Sequence, residues 1–130
     1  MEAHRRVATL RPVQGLHSIN GVLLIAVNGI AAAIGLVYAR RRTEPSRVFT
    51  HLLVLGQTLL VAQAALGLLL LSDDHRSSDK LHYLYGALAL GAVLAPWLYA
   101  PHEARARLIW FCGAALLAAA LGVRAYLTGA

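Results

Sequence analysis

The run Lys80-Leu81-His82-Tyr83-Leu84-Tyr85-Gly86-Ala87-Leu88-Ala89-Leu90-Gly91-Ala92-Val93-Leu94-Ala95-Pro96-Trp97-Leu98-Tyr99-Ala100, closed by Pro101, decides the fold. Beyond Lys80 it carries no charge. It reaches the ~20 residues that cross ~30 Å of hydrocarbon at 1.5 Å per residue. Alanine and leucine dominate it, which indicates a helix, whereas a barrel strand would alternate over ~10 residues. Asp79 stands where an N-cap belongs, and Pro96 predicts a kink near the far end.

Three further runs of the same kind are present. They lie at about residues 16–39, ending in Arg40-Arg41-Arg42; 48–72, ending at Asp73-Asp74; and 106–127. Residues 1–15 form a basic arm with Arg5, Arg6 and Arg11. The apolar run behind that arm is too long for a signal-peptide core and stops at a basic cluster, so it reads as a retained helix. The expected fold is all-α: an integral membrane four-helix up-and-down bundle over residues 16–130. Its short loops make consecutive helices antiparallel neighbours. Both termini and the 73–80 loop then share one side, side A. The 40–47 and 101–105 loops share side B. Arg40, Arg41, Arg42 and Arg47 place side B in the cytoplasm, and Trp97, Tyr99 and Trp110 fit an interfacial belt there. The expected setting is a bacterial cell membrane.

Composition agrees. Hydrophobic residues make up 58% of the 130 and charged ones 14%, against about 25% charged in a soluble domain. A net charge of +6 and a pI of 10.3 would suit nucleic acid on a soluble protein. Here the arginines flank apolar spans and face anionic lipid, and no aromatic platform for bases is visible. The expected partner is therefore the bilayer and not nucleic acid, with a second copy of the chain as a homodimer partner. The single cysteine, Cys112, excludes a disulfide within the chain and reads as a small apolar side chain in helix packing.

Helix residues succeed one another at about 100°, so positions sharing a face can be read off. His17, Gly21, Asn28 and Gly35 fall within about 40° of one line; so do His82, Gly86, Ala89, Val93 and Ala100. Gly56, Gln63 and Gly67 form a line on the second helix, and Gly113, Ala120 and Arg124 on the fourth. Small stripes are where membrane helices approach closely or where a flat cofactor finds room. Packing alone accounts for the glycines and alanines. It does not account for ionisable groups on the same lines.

Of the six histidines, His4 and His75 lie in polar segments, and His102 follows Pro101 at a helix start. His51 points about 140° from its helix's glycine line and starts from side B. His17 and His82 differ. Both begin helices that start from side A, at matching depth, each with a glycine one turn on. That is the pattern of a bis-histidine haem-iron site in a slot of small residues. Arg124, Lys80 and Arg76 on side A would serve as cations for the propionates. The simpler reading makes each an interfacial histidine bonded to a neighbour such as Gln63 or Asn20. Zinc is disfavoured, since no third ligand lies at that depth.

The segment Gln63-Ala64-Ala65-Leu66-Gly67-Leu68-Leu69-Leu70, followed after a short loop by Leu81-His82, resembles one four-helix half of the haem A synthase family. There a Gln-x-x-Leu-Gly helix lies between two helices that each carry a haem-flanking histidine. The resemblance covers about residues 14–95 and implies haem b between His17 and His82. The family's glutamate, three residues before the first histidine, is Gln14 here; its following arginine is Ser18; no cysteine pair lies in a side A loop. What carries over is the haem site rather than hydroxylating catalysis. Cytochrome b561-like proteins are a looser similarity, and would need a second pair, for which only His51 with His102 is available.

The sequence thus leads to a membrane b-type haem protein for electron transfer or for haem and cytochrome assembly, not itself catalytic. Its cofactor-binding residues would be His17, His82, Arg124, Gly21, Gly86 and Gln63, with His17 and His82 on the iron. A redox partner protein or a quinone would exchange electrons with it; Gln57, Gln63 and Asn28 suit a quinone, although helix–helix hydrogen bonding is the commoner use of such groups. The alternative is a cofactor-free integral membrane subunit that packs against a larger complex. A transporter is disfavoured by the lack of Asp or Glu inside the spans.

Overall fold

The computed structural model describes residues 2–72, 77 and 79–129. It consists of four helices: α1 (Glu2–Arg41), α2 (Arg47–Ser72), α3 (Leu81–Tyr99) and α4 (Ala104–Gly129). Each is long and apolar enough to cross a membrane. The bundle is the up-and-down arrangement that the four runs predict. One difference is at the start, where α1 continues back through the basic arm to Glu2 with Pro12 inside it. His75 and Arg76 lie outside the described residues, as does the side chain of His4.

Local chemistry sets the helix ends. α1 stops where Arg42 turns left-handed (φ 53°), and the Thr43 amide reaches back to the Tyr38 carbonyl at 3.3 Å. That closure usually uses glycine in the Arg42 position. Ser46 then opens α2, its hydroxyl accepting from the Phe49 amide at 3.4 Å and its carbonyl from Thr50 at 3.3 Å. The Asp79 carboxylate accepts the Leu81 amide at 2.9 Å at the head of α3. Glu103 caps α4 with both oxygens, taking the Arg105 and Ala106 amides at 2.9 and 2.7 Å.

α1 packs along α2 and α4, and α3 packs along α4 and more sparsely against α2, so α1 and α3 face each other across a diagonal. The core is built from small side chains. Ala31, Ala32 and Ala115 form one buried cluster, and Ala89 and Ala118 join Leu24, Leu60 and Val93 in another. Large apolar residues such as Leu23, Leu55, Leu68, Leu98 and Leu116 point outward. A water-soluble bundle has the opposite arrangement. In lipid, apolar surface gains nothing by turning inward, so close packing of small residues holds helices together.

Asn28 shows how tight that packing is. It is 2% exposed and donates to its own helix at the Leu24 carbonyl, 2.8 Å away. A Cβ on Gly56 would stand 2.8 Å from its Oδ1. Its amide is closed in by α2 at Gly56.

Candidate functional site

α1 and α3 bring His17 and His82 together at the side A end of the bundle. Their ring centroids are 5.9 Å apart, edge to face, with 64° between the planes. Equal depth on diagonal helices places them there, and both rings are half-buried.

The two imidazoles are held differently. His82 Nδ1 lies 2.7 Å from the Ala125 carbonyl on α4. A carbonyl only accepts, so Nδ1 carries the proton and Nε2 keeps its lone pair. Gly129 makes the approach possible, since a Cβ there would stand 2.5 Å from His82 Nδ1.

For His17 the proton is assigned through a chain of side chains. The Asn20 amide nitrogen donates to the Leu59 carbonyl and to Gln63 Oε1, both at 2.8 Å. The bond to a carbonyl identifies that atom as nitrogen, and its second bond identifies the Gln63 atom as oxygen. The other Gln63 atom is therefore the NH2 group, and it lies 3.3 Å from His17 Nε2. Nε2 accepts, so the proton of neutral His17 sits on Nδ1. That atom is buried and has no partner among the described residues, and an unpaired buried donor costs about 1–3 kcal/mol. The histidine–glutamine bond expected from the simpler reading is thus present, and it leaves one polar atom unaccounted for.

The remaining sequence-derived residues divide. Gly21 is buried beneath Gln63, with a Cβ there 3.2 Å from the Gln63 amide nitrogen, and Gly67 faces His17, its Cβ position 3.5 Å from Cε1. Both line the pair. Gly86 does not face inward; it is exposed, and nothing lies within 4 Å of its Cβ position. The Gly113–Ala120–Arg124 line on α4 also points outward. The buried line is Leu108, Phe111, Ala115, Ala118, Ala119 and Gly122. Leu24 and Ile25 press on Gly122 and turn that face in. Arg124 instead lies across Tyr85, its guanidinium 5.5 Å from the ring centroid and 3.5 Å from the hydroxyl. His51 and His102 are exposed. Sequence reasoning did not find the carbonyl of Ala125 or the clearance at Gly129. A main-chain acceptor has no sequence signature, and only the alanine-versus-glycine choice at the end of α4 hinted at close approach.

Two imidazoles on one ion place their centroids about 6 Å apart, given metal–nitrogen bonds of about 2 Å. The spacing of the His17 and His82 centroids is close to that value; His82 holds its Nδ1 on a carbonyl, His17 holds its Nε2 on Gln63, and Gly86 faces away from the pair. Among the described residues no group of three or more His, Cys, Asp or Glu side chains could hold a metal ion. No family model, no curated protein and no solved structure matches this chain.

Proposed function

We propose that this protein binds one haem b through His17 and His82 and transfers electrons within the membrane. The observation that carries the reading is the meeting of these two rings from diagonal helices, 5.9 Å apart, with His82 Nδ1 fixed on a carbonyl. An outer partner of that kind holds a metal-binding imidazole in one tautomer and raises its basicity. Arg124 and Lys80, exposed at the same end of the bundle, supply cations for carboxylates. His17 and His82 would hold the iron from two sides of the site, and a haem held there would supply one-electron transfer. A quinone or a second haem protein is the class of partner that such a carrier serves.

The test is an absorption spectrum of the detergent-purified protein, oxidised and then reduced with dithionite. Sharp reduced α and β bands with a shifted Soret band are expected. A colourless protein from cells well supplied with haem overturns the reading and leaves a small-residue helical subunit, whose partner co-purification would identify.

A further inference from the structure

The two ligands of the proposed site are not equivalent, and we infer that Gln63, gripped by Asn20, caps His17 so that His82 binds haem first and His17 second. The inference rests on the haem reading and concerns the order and control of ligation.

The asymmetry follows from where the protons are. His82 donates from Nδ1 to the Ala125 carbonyl at 2.7 Å, which leaves its Nε2 lone pair directed away from that anchor and ready to bind. His17 has the opposite condition. Its Nε2 lone pair already receives the Gln63 amide at 3.3 Å, and its Nδ1 holds the proton. For His17 Nε2 to serve as a ligand, the Gln63 N–H group would have to move off it.

Gln63 is not there by chance of rotamer. Its oxygen is taken by Asn20 at 2.8 Å, and the same Asn20 nitrogen is tied to the main chain at Leu59. Its nitrogen rests over Gly21, in space that any side chain would fill: a Cβ there would come within 3.2 Å. Two independent features, a main-chain-anchored clamp and a glycine-made seat, therefore hold the amide against the lone pair. The Nδ1–H of His17, without a partner among the described residues, keeps its proton whether Nε2 faces Gln63 or a metal, so competition for Nε2 alone decides whether the cap opens. Opening requires the Gln63 side chain to swing off Gly21, and the Asn20 bond resists it.

The experiment is stopped-flow mixing of the haem-free, detergent-solubilised protein with haemin, followed through the Soret band. Wild type is expected to bind in two phases: a high-spin, single-histidine form, then a slower conversion to low spin. In Gln63→Leu the slow phase should accelerate about three- to tenfold, the equivalent of removing one hydrogen bond. Asn20→Ala should accelerate it less, and His17→Ala should stop at the high-spin form. A 15N spectrum of the haem-free protein gives a readout independent of loading: His17 should show the Nδ1–H tautomer in wild type and lose that bias in Gln63→Leu. If wild type binds haemin and Gln63→Leu converts at the same rate or more slowly, the cap is overturned. If His17 instead carries its proton on Nε2, the donor assignment is overturned as well. If no variant and no wild type binds haemin, the haem reading itself fails, which is distinct from either result.

Discussion

His82 crosses from α3 to α4 and donates its Nδ1–H to the main-chain carbonyl of Ala125 over 2.7 Å. That carbonyl lies near the end of α4, and the Thr128 hydroxyl also reaches it, at 3.2 Å. The same end of α4 is tied to the loop between α2 and α3, with the Ser77 hydroxyl donating to the Thr128 carbonyl at 3.3 Å. The C-terminal turn of the bundle therefore does two things together: it closes side A, and it sets which nitrogen of His82 is free. The position of the ring depends on Gly129 having no side chain.

Gly129→Ala should accordingly damage the site more than its modest size suggests. The added methyl would stand 2.5 Å from His82 Nδ1 and 2.7 Å from Cε1, so the ring must leave the Ala125 carbonyl. Bound haem, read from the reduced-minus-oxidised spectrum per mole of protein, should fall by about tenfold, the lower end of what outer-sphere changes cost. Gly113→Ala is the control. Nothing lies within 4 Å of its Cβ position, so pigment should be unchanged and α4 slightly more stable, by up to about 1 kcal/mol.

Ligand identity is tested by three alanine variants. His17→Ala and His82→Ala should each abolish the six-coordinate spectrum, because each removes one of the two rings that meet at 5.9 Å. His51→Ala should leave it intact, because His51 is exposed on α2 and belongs to the other end of the bundle. Loss of pigment in His51→Ala with retention in His17→Ala would show that the iron lies elsewhere.

Much of this architecture was legible in the sequence because lipid imposes one rule on every span. Twenty apolar residues between charges must be helical, and helix count with short loops fixes which starts share a side. That alone put His17 and His82 at one depth. What failed was the outer or inner sense of individual lines. Gly86 and Arg124 shared stripes with small residues, but in a chain this rich in alanine and glycine small stripes occur on several faces. Only the packing of Ile25 and Leu24 on Gly122 decides which face of α4 turns in. The roles of Asn20 and Gln63 were half legible: their types announce interhelical hydrogen bonds, while the direction of each bond needs the Leu59 carbonyl, which every residue type would offer.

Gly56→Ala tests the core rather than the site. A methyl there would meet the Asn28 amide at 2.8–3.1 Å, and Asn28, 2% exposed, has no free space to enter. The expected cost is that of overpacking, about 1–3 kcal/mol, seen as a lower melting temperature in detergent. Pairing it with Asn28→Ala should recover part of the loss, since the smaller residue vacates the contact. The double variant then separates crowding from the loss of the Asn28–Leu24 hydrogen bond.

The cap of α4 should make part of the stability depend on pH. The amides of Arg105 and then Ala106 hold the Glu103 carboxyl below the usual carboxylate range, because they favour its charged form at a helix N-terminus. A carboxyl whose folded pKa is depressed contributes stability that is complete above its unfolded value, about 4.3 for glutamate. That contribution is lost as pH falls through the lower folded value. Glu103→Gln keeps an acceptor oxygen and removes the charge. The melting temperature of wild type should therefore exceed that of Glu103→Gln at neutral pH, and the gap should close as pH drops below the glutamate range. A gap that stays constant down to pH values well under that range would mean the charge on Glu103 contributes nothing and the cap acts through shape alone. The cap lies at the side B end, while the histidine pair lies at side A. The bis-histidine spectrum should therefore be unchanged across the same pH interval as long as the bundle remains folded, which separates fraying of α4 at its start from disturbance of the Ala125 carbonyl at its end.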